Sequence, residues 1–411
     1  MARSALLVRT LTLCSIAVGA LLVATSTAYA QEGARPEVAT PVKAAGDLLR
    51  ANKFKEALAK LRDADAIANK TPYEIYLIES TRGSAASGAG DGATAIRSFE
   101  AVINSGKAPA ATQLKMVEAL ASSYYRAGDY PASIKWGARY FREGGTNGQI
   151  RTLMIQAYFQ SGDYANAAKE SLADIQADEK ADRTPSEEKL QLLANSYLRQ
   201  KNQGGYIATI EKLIKYYPRK SLWADIISRL QKKPGFSDRL SLDVYRLQLA
   251  TGNLSSTSDF MEMTQLALQA GFSGEAKKIV DEGFSTGALG KGTDVDRQKR
   301  LRDLVEKKIA ENKAMLAAGA DETTAKTAKD GNDLVTLGYN MFTSGQSAKG
   351  IGLMEEGIKK NKLRRPEDAK LHLGIALIQA GQKSRGVQVL KSVQGNDGAS
   401  DLANLWVLYS R

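Results

Sequence analysis

His372 is the one histidine of the chain and Cys14 its one cysteine, and that alone removes much of enzyme chemistry. A paired-histidine zinc site needs two imidazoles, and a Ser-His-Asp triad would have a single candidate base. His372 stands one residue before Leu373-Gly374 on a predicted helix, and no motif supplies it with a partner. A packed or solvent-facing histidine is therefore the plainer reading. Cys14 falls in an apolar leader, so the mature chain would hold no disulfide, thiolate metal site or cysteine nucleophile. The carboxylates are scattered as surface charge rather than paired in an active-site context. The glycine-rich stretches 83–92 and 287–292 lack the following Lys-Ser/Thr of a phosphate loop. The reading is of no catalytic residue, no metal ligand and no cofactor site.

Two other groups of residues suit binding. Ser122, Tyr125 and Arg126 share i, i+3, i+4 spacing, as do Gln156, Phe159 and Gln160, and again Asn195, Leu198 and Arg199. Each trio occupies one face of a helix. A mixture of aromatic, amide and arginine side chains suits peptide recognition. The competing reading is a generic polar surface whose aromatics fill gaps between helices. The second group is the run Lys359, Lys360, Lys362, Arg364 and Arg365. Its plain role is to close a helix C-terminus, where cations meet the negative end of the helix dipole. Its functional reading is a docking patch for phosphate-bearing lipid, lipopolysaccharide or an acidic partner. Charge runs are more often solvated faces, and the stretch 297–302 is discounted in the same way.

The elements that position these residues repeat. Tyr-Arg-Ala-Gly-Asp-Tyr ends at Tyr130 and Phe-Gln-Ser-Gly-Asp-Tyr at Tyr164, with Gly128 and Gly162 34 positions apart. That interval is the period of a two-helix repeat. Leu120, Ala121 and Tyr124 precede the first glycine, and Ser133, Trp136 and Tyr140 follow it. Met154, Ile155 and Tyr158 precede the second, and Ala167 follows. Apolar residues at steps of three and four mark buried helical stripes, the glycines turn the chain, and the small residues admit close helices.

This pattern resembles the tetratricopeptide repeat family, most clearly over 117–140 and 151–174. Looser copies run through Ala44, Ala45, Leu48, Phe54, Ala57, Leu61 and Ala64, and through Gly83, Ala86, Gly90-Asp91, Ala95 and Phe99. Others hold Leu190, Leu193-Ala194 and Tyr197 up to Pro218; Gly271, Ala276 and Val280 within 260–284; Leu337-Gly338 and Gly345; and Leu373-Gly374, Ala380-Gly381 and Leu390. The register predicts about eight helical pairs. It breaks at 221–259, where Lys233-Pro234-Gly235 interrupts a degenerate pair that has 240–250 as one helix. It breaks again at 295–330, which reads as one long helix with a narrow edge of Leu301, Leu304, Val305, Ile309 and Met315, followed by a mobile linker over 317–330. Residues 401–410, with Leu402, Leu405, Trp406 and Tyr409, read as a capping helix.

The resemblance implies an all-α, right-handed solenoid of helix-turn-helix repeats. It also implies that first helices line a concave groove, which would place the three trios there. The family's clamp for acidic tails needs lysines where this chain has Glu118, Thr152 and Gln191, so that specialised role is not expected. The expected division is leader 1–30, N-terminal solenoid 31–290, charged helix and linker 291–330, and C-terminal pair with cap 331–411. At 411 residues, with 43% hydrophobic and 25% charged residues, the chain is long enough for several cores or an extended stack.

Arg3 and Arg9, the apolar stretch 11–23 and Ala28-Tyr29-Ala30 read as a secretory signal cut before Gln31. The expectation is an exported, periplasmic, non-enzymatic adaptor of a Gram-negative-type bacterium. It would take a protein or peptide partner in envelope assembly, secretion or polysaccharide export. Net charge is +12, so an anionic envelope surface is a second expected contact, and nucleic acid is not expected of an exported protein. The rival class is a periplasmic glycan-binding protein. It would need aromatic platforms and an acid pair at the groove, and three tryptophans spread along the chain (Trp136, Trp223, Trp406) supply few platforms.

Overall fold

The computed structural model describes residues 33–411 except 319 and 361, and describes no side chain from 315 to 321. The expected signal, its cleavage site and Cys14 lie outside the described residues, as does the Met315 side chain. The described residues form twenty-one α-helices, one 3-10 turn and no strand. They open with α1 (Pro36–Arg50), α2 (Phe54–Asp65), α3 (Pro72–Ala89), α4 (Gly92–Asn104), α5 (Ala110–Arg126) and α6 (Tyr130–Arg142). Then come α7 (Gly148–Gln160), α8 (Tyr164–Lys180), α9 (Glu187–Arg199) and α10 (Gln203–Tyr216). The irregular segment is α11 (Lys220–Gln231), the 3-10 turn Asp238–Leu240 and α12 (Ser241–Ala250). It is followed by α13 (Thr257–Gln269), α14 (Ser273–Thr286), α15 (Val295–Ala318) and α16 (Ala320–Thr327). The last five are α17 (Asn332–Thr343), α18 (Ser347–Lys359), α19 (Pro366–Gln379), α20 (Lys383–Lys391) and α21 (Ala399–Tyr409). Eight hairpins stand where the repeat register places them, and the fold is an all-α helical repeat.

The Gly-Asp dipeptide builds each turn in two steps. Gly128 and Gly162 take φ of +80° and +84°, the left-handed geometry that ends a helix. The following aspartate opens the next helix: Asp129 accepts from the Ala132 N–H at 3.0 Å and Asp163 from that of Asn166 at 3.1 Å. Between the helices, Ala121, Ser133 and Ala167 are fully buried, and the Ser133 hydroxyl donates to the Ala121 carbonyl at 2.8 Å. Where a turn lacks glycine, Asn52 and Lys201 hold the positive φ instead.

The described residues form two compact units that divide between Tyr206 and Ile207, within α10; unit 1 is the N-terminal one and unit 2 the C-terminal one. In unit 1 the stripes interlock between hairpins: Ala86, Phe99, Val102, Met116 and Leu120 form one cluster, and Val117, Ala121, Tyr140 and Ile150 another. First helices meet first helices, α1 with α3 and α5 with α7.

Unit 2 departs from expectation twice. The boundary expected at 291–330 is not where the molecule divides, because α14 packs on both α15 and α17 and one apolar cluster runs from Leu242 to Leu377. The stretch read as a linker folds in part as α16, which lies against α17 and buries Ala325 with Leu334, Met341 and Leu353. In α15, Leu301 and Val305 face the core, but Leu304 points outward and is 44% exposed. Gly338 and Gly350 bring α17 and α18 to backbone contact, since a Cβ on Gly338 would stand 2.6 Å from the Gly350 carbonyl oxygen. α21 buries Leu402, Leu405 and Trp406 and packs on α19 and α20, as a cap does.

Candidate functional site

The first two trios lie on α5 and α7, which pack side by side, and the third lies on α9, which packs on α8. The structure divides their members by role. Tyr125 and Phe159 are half-buried and turn edge-on to Tyr130 and Tyr164, with ring centres 5.6 and 5.2 Å apart. Each therefore braces the turn of its own hairpin, and burial raises the Tyr125 phenol above its usual pKa. Ser122 and Gln156 are half-buried, while Arg126, Gln160, Asn195, Leu198 and Arg199 are exposed, Leu198 by 42%. The neighbours Tyr124 and Tyr158 are half-buried as well, and Tyr124 donates to Glu100 at 2.6 Å. Burial, followed by that carboxylate, pushes its phenol up to about 12.

The basic run does not act as one patch. Lys360 turns inward, and its ammonium donates to the carbonyls of Ala325, Lys326 and Ala328, the last at 3.1 Å. It thus closes the C-terminus of α16, a helix other than its own. Lys359, Lys362, Arg364 and Arg365 remain exposed, and the Arg364 backbone N–H is tied to Asn332 at 3.1 Å. Of the second basic stretch, Arg302 lies over the Phe284 ring at 4.9 Å.

A cleft of about 810 Å³ runs between α13 and the start of α15, lined by Glu262, Gln265, Gln269, Asp294 and Arg297 over Met261 and Leu266. No aromatic side chain lines it, so it offers no stacking platform for a sugar.

His372 is packed, within the plainer reading of the sequence, but it has partners that no motif announced. Its Nε2 lies 3.0 Å from Asp243 Oδ1 and 3.0 Å from Arg246 Nη1, so it belongs to a packed polar cluster. Arg246 is 3% exposed and forks onto Glu275 at 2.7 and 2.6 Å while reaching Asp243 at 2.6 Å. Its guanidinium lies 4.7 Å from the Tyr339 ring centre and 5.4 Å from that of Phe272. The Tyr339 hydroxyl donates to Glu275 at 3.2 Å. Although burial acts against it, the charges of His372 and Arg246 hold the Asp243 carboxyl well below the usual range. Burial drives the Tyr339 phenol far up. No serine or cysteine nucleophile belongs to this bonded cluster, and its charges satisfy one another.

Sequence reasoning missed this cluster. Its members lie up to 129 positions apart, and each alone looks like surface charge. The available signal was the failure of the repeat register at 221–259.

No protein-family model matches the chain, and no curated protein does. Among solved structures, it is similar to the complex of the TPR2AB domain of yeast Sti1 with pHSP90. That match has 10% identity and a TM-score of 0.25, covering 73% of this chain and 100% of that one. It is similar to the P58(IPK) TPR domain at 13% identity and TM-score 0.23, covering 91% and 97%. It is similar to yeast Tom70 at 11% identity and TM-score 0.20, covering 91% and 95%. At these TM-scores the fold reading stands on the chain's own hairpins, and no ligand, partner or role passes from those proteins to this one.

Proposed function

We propose that this protein is a non-enzymatic scaffold that holds a protein or peptide partner on the first helices of unit 1. In this reading it is exported, cut after Ala30 and periplasmic, and it serves envelope assembly, secretion or polysaccharide export. One observation carries the binding face. Arg126 and Gln160 recur at the hairpin interval at the same helical position, are exposed, and contribute little to the hairpins themselves. Arg126 reaches only the hydroxyl of Ser123, at 3.3 Å, and Gln160, Asn195 and Arg199 bond to no described side chain. An aromatic-braced helix with a free polar stripe is a rigid surface that pre-pays the ordering cost of recognition.

The test is site-specific photo-crosslinking in the native host. A photoreactive residue at 126, 160 or 195 should give one shared adduct, and one at Lys135 or Lys169, exposed on the second helices, should not. Equal labelling from both sets, or none from the first helices, overturns the reading. N-terminal sequencing of the same purified protein should begin at Gln31, and a chain still starting at Met1 removes the export part.

A further inference from the structure

We propose that residues 220–250 are a releasable strap, with Arg246 as its anchor, whose α12 side chains reach Tyr339 and His372 on the first helices of the last two hairpins as an internal ligand. The surface receiving it is an arginine-reading cage: the faces of Phe272 and Tyr339, the fork-accepting carboxylate of Glu275 and the imidazole of His372. Tyr339 lies on α17 and His372 on α19, both first helices, while α12 supplies the arginine from outside the repeat register.

The segment buries Ile227, Leu240 and Leu247, and four further observations bear on how it is held and how it would be released. Gly235 at φ +85° bends it midway, between α11 and the 3-10 turn, and Gly252 at φ +70° follows its C-terminal end, so the part that carries Arg246 lies between two left-handed glycines. Its edge is fastened by charge: Lys233 to Asp401 at 2.7 Å, and Arg239 to Asp368 at 2.8 Å and Asp397 at 2.7 Å. Arg239 Nη1 is buried without a hydrogen-bond partner, a cost that unseating would relieve. Its centre is a buried ion network, which gives register and specificity more surely than net stability.

The groups facing Arg246 and His372 from every packed element are Asp243 on α12, Glu275 on α14, Tyr339 on α17 and Asp368 on α19, with Arg239 and Asp397 outside them. Burial is the largest influence on Asp368 and raises its pKa, so this rim carboxylate gives up its charge more readily than a free one. While the strap is seated, unit 2 is closed to an arginine-bearing amphipathic helix, and a partner is left with unit 1. That last consequence rests on the scaffold reading, whereas the strap itself does not.

Hydrogen exchange on the full-length protein, read by mass spectrometry, tests the strap. In Arg246→Ala the amides of 241–250 should exchange at least tenfold faster, while α5–α7 keep their wild-type rates. A synthetic peptide of residues 238–252 should then bind this variant and not the wild type, and the same peptide with Ala at 246 should bind neither. If Arg246→Ala unfolds all of unit 2, the milder pair Lys233→Gln and Arg239→Gln decides. It should speed exchange across 220–250 severalfold and leave α17–α18 unchanged. Exchange of α12 in step with α17–α18, or peptide binding to the wild type at equal strength, overturns the strap. Crosslinking at 126 and 160 tests the scaffold reading separately, so the two can fail independently.

Discussion

At the scale of single residues, the chain spends its buried charge on joining distant segments. Glu74 is fully buried at the start of α3 and accepts from the backbone N–H, Nε and Nη2 of Arg35 at 3.0, 2.9 and 3.0 Å. It also accepts from the Thr71 N–H at 2.8 Å, while Thr71 caps the Glu74 N–H in return. The Arg35 hydrogen bond, followed by that from Thr71, lowers the Glu74 pKa to about 2. A carboxylate lowered on folding adds stability that is complete above its unfolded pKa of about 4.3 and vanishes as pH falls through the folded value. The contribution of Glu74 is therefore present at pH 7 and fades between about pH 4.5 and 2. Urea midpoints of unit 1 for wild type and Glu74→Gln, read by Trp136 fluorescence, should differ at pH 7 and converge near pH 2. A gap independent of pH would show that the ion pair is not its source.

At the scale of elements, what was legible from sequence was local. Gly128, Gly162 and the Leu-Gly pairs 337–338 and 373–374 lie within one hairpin of the residues they serve, so their spacing announces turn and crossing. Leu240–Ala250 was readable as helical because its apolar residues recur, but its purpose was not, since Arg246 meets Glu275 and His372 far along the chain. α16 was misread for a related reason. Among its described side chains α16 buries Ala325 and shows no apolar stripe, and it is held from outside by Lys360, a residue that looked like free surface charge. The trios were found by spacing, but spacing did not distinguish Tyr125 and Phe159, which brace turns, from Arg126 and Gln160, which face solvent. Lys360→Met should cost about 1–2 kcal/mol, because three carbonyls at a helix end lose a charged donor. It should leave adsorption to anionic vesicles at its wild-type level, whereas neutralising exposed Lys359, Arg364 and Arg365 should not alter stability. Vesicle binding that falls with Lys360→Met alone would return that lysine to the surface patch.

At the scale of the whole molecule, two compact units with separate apolar clusters predict two unfolding transitions rather than one. Trp136 is the one tryptophan of unit 1, and Trp223 and Trp406 both belong to unit 2, where each stacks edge-on to Tyr409. Fluorescence of Trp136→Phe therefore follows unit 2 alone, and fluorescence of the double variant Trp223→Phe, Trp406→Phe follows unit 1 alone. A substitution confined to one core separates them further. Gly338→Ala drives a methyl into the Gly350 carbonyl and the Met354 side chain, and backbone on both sides of the crossing cannot yield by rotating a side chain. Overpacking of this kind costs about 1–3 kcal/mol. The midpoint seen by Trp223 and Trp406 should fall by the corresponding amount, while the midpoint seen by Trp136 stays where it was. A common shift in both signals would mean that the chain unfolds as a single cooperative block, with no independence between the part proposed to bind and the part closed by its own strap.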